Sequence, residues 1–285
     1  MADVQAKIRE VAKDLLEKGE VEYIIGWENG RFANQTTPVF VSKVEDVDKL
    51  IFNEYCSNTL AKYVMDNKYT EGKIGVCVRG CDSRAINRLI TDKVIKREQV
   101  YLIGIPCSGM KDWHTGEAEV KCQECRYQMP VDYDVLVGDA VENKQPEGRF
   151  AEIERIEAMT ADERYNYFAE AYEKCIRCYA CRNVCPCCNC KECYADQYRV
   201  GWQGKQNNTA QNQVYGLTRA YHVGDRCIEC GECARVCPVG LPLMALNRKL
   251  IKDSCELFGE YDAGLTAGEP HITGTYKLDD REEFM

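Results

Sequence analysis

The amino-acid sequence predicts an α/β N-terminal domain with a small, mostly parallel sheet, followed by an α-rich domain dense in cysteine. Three observations carry this. The first half alternates strand-like and helix-like segments, the order that yields a parallel sheet with covering helices. A polar stretch at residues 142–148, with Pro146 inside it, breaks that alternation. Beyond it one cysteine spacing occurs twice, as Cys175, Cys178, Cys181 and Cys185 before Pro186, and as Cys227, Cys230, Cys233 and Cys237 before Pro238.

Taken in order, Val4, Ile8, Val11, Leu15 and Leu16 fall at helical spacing between charged residues, so the chain opens on an amphipathic helix. Residues 21–27 and 37–42, around the Asn29-Gly30 turn signal, read as a pair of strands. Residues 46–66, carrying Leu50, Ile51, Leu60 and Val64, read as one helix. A strand over 73–78, a turn at 79–83, a helix over 84–94 and a strand over 100–105 follow, and a short strand over 135–137 ends at Gly138-Asp139. One helix over 152–174 leads into the first cysteine run. The Gly-, Asn- and Gln-rich residues 201–213 read as a surface loop, and residues 243–258 as a helix. The expected domains are therefore 1–145 (α/β), 146–174 (helical linker), 175–258 (the cysteine domain with an insertion) and 259–285 (a tail without periodicity).

The duplicated spacing is C-x-x-C-x-x-C-x-x-x-C-P. It is the bacterial ferredoxin run, in which three thiolates hold one cubane and the fourth crosses to the other. The α-rich domain is thus expected to contain a dicluster ferredoxin-like fold with two 4Fe-4S clusters. Cys175, Cys178 and Cys181 are expected to share one cluster with Cys237, and Cys227, Cys230 and Cys233 the other with Cys185. Zinc is the rival wherever a lone C-x-x-C occurs, but three cysteines at successive two-residue gaps fit a cubane better than a zinc knuckle. The total of nineteen cysteines is odd, Cys187 abuts Cys188, and the first twenty residues build no signal-peptide core. Such density in a reducing compartment means metal, which points to the cytoplasm.

A second constellation lies in the α/β half. Cys81 follows the strand at 73–78 and Cys107 the strand at 100–105, so both belong to the carboxyl edge where doubly wound sheets place their sites. With the Cys122/Cys125 pair they could supply four ligands to a third cluster; zinc and unligated thiols are the alternatives. The strand-to-helix turn at the same edge makes Arg79, Gly80 and Arg84 candidates for a flavin phosphate, against the plainer reading of solvated arginines and a backbone glycine. After Pro186 come further cysteines. Cys188, Cys190 and Cys193, with Cys56 as a distant fourth, are the expectation for a fourth cluster, with zinc or redox-active thiols as alternatives. Cys77, Cys187 and Cys255 are left over. His114, His222 and His271 are too scattered to form a catalytic group.

A net charge of −9 and no basic aromatic patch argue against a nucleic-acid partner. No run approaches the roughly 18 apolar residues of a membrane span. The motifs Gly80-Cys81-Asp82-Ser83-Arg84-Ala85, Ile103-Gly104-Ile105-Pro106-Cys107, and Cys122/Cys125 followed by Val137-Gly138-Asp139, joined to the dicluster segment, give the chain a resemblance to a known family. It resembles iron-sulfur proteins related to the beta subunits of deazaflavin-coenzyme hydrogenases and dehydrogenases. The resemblance implies electron transfer in a cytoplasmic redox complex of an anaerobe, beside heterodisulfide-reductase-like flavoprotein, hydrogenase or formate dehydrogenase subunits. Some members carry FAD; full beta subunits have a longer flavin-binding portion, so the resemblance alone does not imply FAD here. The reading that follows is an electron-transfer subunit relaying electrons through several clusters. Its alternatives are a flavin-containing enzyme with its own deazaflavin, NAD or ferredoxin site, and a redox sensor or binding module.

Overall fold

A strand buried on both faces must be apolar throughout, and the run Ile-Gly-Val-Cys-Val at Ile74–Val78 is buried at every position. It is the middle strand of a five-stranded sheet in the computed structural model, which describes residues 2–144, 148–197, 199–276 and 278. The chain divides into two units, residues 1–146 with 264–269, and residues 147–263 with 270–285. The boundary expected at Pro146 lies outside the described residues, and the expected linker is part of the second unit.

In the first unit, helix α1 (Ala2–Glu17) is followed by β1 (Tyr23–Asn29) and β2 (Thr36–Val41), an antiparallel pair. β3 (Ile74–Val78), β4 (Val100–Gly104) and β5 (Val135–Leu136) extend the sheet in the order β2-β1-β3-β4-β5, every pairing beyond the first being parallel. This is the small, mostly parallel sheet that the alternation of elements predicts.

The single helix expected over 46–66 is instead a 3-10 turn at Val44–Lys49 and a short helix, α2 (Ala61–Asp66). The intervening backbone spends its polar groups elsewhere. Ile51 donates its N–H to Trp27 O at 2.8 Å, and Asn58 O accepts from Trp27 Nε1 at 3.0 Å and from Arg79 Nη2 at 2.7 Å. Carbonyls engaged in this way cannot accept from the next helical turn. Helix α3 (Gly80–Thr91) starts inside the expected turn, directly after β3. Residues 264–269, expected in a tail, pack on it: Gly264 O and Leu265 O each accept from Asn87 Nδ2 at 3.2 Å. A four-residue helix, α4 (Val120–Gln123), carries Cys122.

The second unit is helical. The helix expected over 152–174 is broken into α5 (Ala151–Glu157) and α6 (Ala161–Glu173) by a capping box: Glu163 N–H donates to Thr160 Oγ1 at 3.3 Å, and Thr160 N–H to Glu163 Oε2 at 2.7 Å. Short helices α7 (Ala180–Asn183) and α9 (Glu232–Arg235) each lie within a cysteine run. Between them the expected loop gives way to α8 (Thr209–Val223), capped by Asn208 Oδ1 accepting from Gln211 N–H at 3.0 Å. Helix α10 (Leu243–Phe258) has the predicted bounds.

Helix α8 buries Asn212, Tyr215, Gly216, Arg219, Ala220 and Val223, a face at helical spacing made largely of polar and small residues, which explains why an apolar scan passes over it. Gly216 is required where it stands, since a β-carbon there would sit 2.1 Å from Tyr172 Oη, and Tyr172 is only 3% exposed. Gly216→Val should therefore cost about 1–3 kcal/mol through overpacking, read as a lower melting temperature of the cluster-loaded protein with the first unit unaffected. Among the described residues no helix is long and apolar enough to cross a membrane.

Candidate iron-sulfur sites

The two cysteine runs share one backbone path. In each, the residues flanking the second cysteine are left-handed: Arg177 (φ 51°) and Tyr179 (φ 60°) around Cys178, Glu229 (φ 54°) and Gly231 (φ 68°) around Cys230. Three of these four are not glycine, so the conformation costs energy and is held by contacts. Arg177 Nη1 donates to Gly204 O at 2.7 Å and Gln206 O at 3.0 Å. Glu229 is clamped by Arg248 Nε at 3.2 Å and by Arg149, which also reaches Asp262 at 2.6 Å. The path turns backbone amides toward the thiols: Cys175 Sγ accepts from the Arg177 amide and Cys227 Sγ from the Glu229 amide. Successive amides in such turns form a concavity suited to anionic sulfur.

The fourth cysteine of each run stands near cysteines of the other. Cys185, Cys227, Cys230 and Cys233 line one cavity together with Cys187, Met244 and Asn247. Cys175, Cys181 and Cys237 pack against an apolar cluster that also holds Cys233; Cys237 stands close to Cys175 and Cys181, and Cys178 lies beside Cys175 with its thiol near the surface. Further donors face the sulfurs, Leu241 N–H to Cys237 Sγ at 3.3 Å and Asn247 Nδ2 to Cys227 Sγ at 3.5 Å. Burial pushes the Cys227 thiol up to about 12 and the Cys233 thiol up to about 11. Such pockets hold thiolate poorly without a cation, and a bound metal reverses that by deprotonating its ligands. The donor set, its spacing and the amide donors near the sulfurs fit a 4Fe-4S cubane at each of the two groups.

The cysteines after Pro186 take other places. Residues 185–188 match 237–240 in hydrogen bonding, with Cys188 N–H donating to Cys185 O at 3.1 Å and Gly240 N–H to Cys237 O at 3.2 Å. Cys187 stands where the second run has Val239; it is 1% exposed and donates its thiol to Arg226 O at 3.0 Å. Cys190 is exposed and Cys193 pairs with Arg182. Cys56 belongs to the first unit, fully buried, where its sulfur accepts from Asn53 N–H at 3.4 Å. Neither unit on its own gathers the expected set of Cys56, Cys188, Cys190 and Cys193.

In the first unit, β3 and β4 deliver Cys81 and Cys107 to one edge, as their positions predict. Cys81 lies in the first turn of α3, three residues beyond the end of β3, and Cys107 just beyond β4. Cys107 N–H donates to Gln128 O at 2.9 Å, and its sulfur accepts from Gly109 N–H at 3.4 Å. Cys125 lies close enough to Cys81, Cys107 and Cys122 for their charges to interact. Burial pushes the Cys81, Cys107 and Cys125 thiols up, while Arg79 acts on all three in the opposite direction. Four half-buried thiols beside a fixed cation suit a metal cluster.

At the same edge the structure gives the candidate flavin residues Arg79, Gly80 and Arg84 partners within the protein. Arg79 is 2% exposed; its Nε donates to Asp82 Oδ2 at 2.8 Å, its Nη2 to Asn58 O, its Nη1 to Cys56 O, and it stacks on Trp27. Each nitrogen of that guanidinium thus donates to a partner within the protein. A β-carbon at Gly80 would lie 2.0 Å from Tyr127 O, so the 127–129 segment covers the start of α3, and Arg84 packs on the Tyr127 ring at 4.2 Å. Asp82, absent from the sequence-derived site, is the organiser: it also accepts Leu60 N–H at 2.7 Å and is fully buried. Asp82→Ala leaves Arg79 charged and unpaired, and should destabilise the first unit by about 3–5 kcal/mol, read from the denaturation midpoint of the buried Trp27 emission.

Residues 171–241 match the family described as the 4Fe-4S dicluster domain. The chain is thus an iron-sulfur protein whose second unit contains a dicluster ferredoxin domain. Over most of its length it is similar to proteins named as F420-dependent formate dehydrogenase beta subunits. It is 23% identical over 344 aligned positions to the F420-dependent formate dehydrogenase subunit beta of Methanocaldococcus jannaschii, covering 87% of this chain and 89% of that one. It is 25% identical over 275 positions to the F420-dependent formate dehydrogenase 1 subunit beta of Methanococcus maripaludis, covering 64% and 71%. A chain of the F420-reducing NiFe hydrogenase complex from Methanosarcina barkeri, solved with xenon, aligns over 38% of this chain and 39% of its own at 18% identity and a TM-score of 0.31.

Proposed function

We propose that this protein is the electron-transfer subunit of a cytoplasmic oxidoreductase complex, relaying electrons between a partner's flavin or metal centre and another subunit. The observation that supports the reading is the place of each run's fourth cysteine: Cys185 lines a cavity with Cys227, Cys230 and Cys233, while Cys237 stands close to Cys175 and Cys181. Two clusters held this way share one folded unit. Each supplies one-electron chemistry and no bond making. The chain's own residues hold the thiolates, aim amide donors at them and exclude water. Cys81, Cys107, Cys122 and Cys125 are proposed to hold a third cluster in the first unit.

The names of the relatives support formate dehydrogenase subunits as partners, and hydrogenase subunits and a heterodisulfide-reductase-like flavoprotein are proposed beside them. FAD is not assigned to the Arg79 edge, whose cation is already spent on Asp82. Anaerobic titration tests the proposal. A low-potential reductant should bleach the visible iron-sulfur absorbance and a one-electron acceptor should restore it, with no flavin released on denaturation. Stoichiometric flavin in the denatured supernatant would replace this reading with that of a flavoenzyme.

A further inference from the structure

Arg219 is a buried cation for which the ferredoxin spacing gives no reason. It lies on α8, within the segment that separates the two cysteine runs, and is 3% exposed. Its Nη2 donates to Cys181 O at 3.1 Å, whereas its buried Nε–H has no partner among the described residues. Around it stand thiols of both groups: Cys181 from the first, Cys185 and Cys233 from the second, and Cys188 beside Cys185. Cys233 is within hydrogen-bonding reach of the guanidinium. Among the described residues no carboxylate bonds or pairs with it. A guanidinium stays charged at any working pH and is costly to bury without an opposing charge.

The helix is anchored to the cluster runs by its other buried groups. Asn212 Nδ2 donates to Tyr172 O at 3.1 Å and to Cys175 O at 3.0 Å, holding the start of the first run. Gly216 admits Tyr172 against the helix. Arg219 is therefore placed by packing on both sides and has little freedom to swing toward solvent.

We propose that Arg219 is the internal counter-ion shared by the two clusters, a positioning residue that raises their reduction potentials. The inference rests on the dicluster reading above. Thiolate-ligated clusters are anionic, and reduction adds one electron with no bond formed or broken, so a fixed cation in a dry site favours the reduced form. The electron comes from outside the unit, from a partner's reduced centre or, in the test, from dithionite. Sharing one cation also couples the two sites, because reduction of either cluster draws on the same charge.

The test is an anaerobic redox titration of the full chain, followed by the magnetic resonance signals of the reduced clusters, in wild type, Arg219→Gln and Arg219→Lys, each with its iron content measured. With iron retained, Arg219→Gln should shift the reduced-to-oxidised ratio at a given potential at least tenfold toward oxidised, 59 mV for a one-electron couple, and Arg219→Lys should recover most of that. Unchanged midpoints in an iron-replete Arg219→Gln overturn the inference while leaving the dicluster intact. If Arg219→Gln loses iron but Arg219→Lys assembles with wild-type midpoints, the charge itself is required and the inference stands; if both variants fail to assemble, the side chain serves packing and the inference falls. Absence of iron from the wild type would sink the dicluster reading instead.

Discussion

Cys185→Ala should remove the same cluster as Cys230→Ala, although the first of these lies in the first cysteine run and the second in the other. Iron should fall by about four per chain in each case, with the same resonance lost from the reduced protein. Cys237→Ala should in turn copy Cys178→Ala. The pairing follows from the cavity that Cys185 lines with the second run and from the closeness of Cys237 to Cys175 and Cys181 of the first. If Cys185→Ala instead copied Cys181→Ala, each run would hold its own cluster and the crossed arrangement would be wrong. Cys187→Ala serves as the control. Its place is filled by Val239 in the second run, so the cluster should survive with at most a modest loss of stability.

Stripping iron with a chelator should unfold the second unit and spare the sheet of the first. The apolar clusters of the second unit are small, and two of them are built on cysteines: Tyr172, Cys233, Leu241 and Leu243 in one, Cys185, Cys187 and Val223 in the other. Without metal, Arg219 keeps its charge and loses its proposed counter-ion. Metal binding here is folding free energy, as in other small metal-dependent domains. The first unit has its own core in the strands around Val76, Val78, Leu102 and Ile103, all fully buried. The expected readout is loss of most of the helical signal of the second unit while the emission of Trp27, fully buried in that sheet, stays blue-shifted. A single transition with simultaneous exposure of Trp27 would show instead that the sheet depends on the metal too.

Much of this was legible from spacing alone. The runs 175–185 and 227–237 identify the cluster-binding unit because a cubane needs three thiolates on one tight turn, and few other structures ask for that. The carboxyl-edge positions of Cys81 and Cys107 follow from strand and helix order. What periodicity missed has particular causes. Helix α8 hides because its buried face presents Asn212 and Arg219, which a hydrophobic pattern discards, and the break between α5 and α6 rests on the Thr160–Glu163 capping box, a signal present in the sequence. Residues 50–60 have helical spacing, yet their carbonyls are taken by Arg79 and Trp27, partners no local window contains. The same long-range bonds explain why Arg79, a reasonable phosphate ligand by position, is a structural cation.

The most direct measurement is iron and acid-labile sulfide per chain, on protein prepared without oxygen. Two clusters in the second unit and one on Cys81, Cys107, Cys122 and Cys125 predict about twelve of each, and about eight would remove the third site alone. Zinc in place of iron, or about four irons or fewer, would contradict the paired-cluster account.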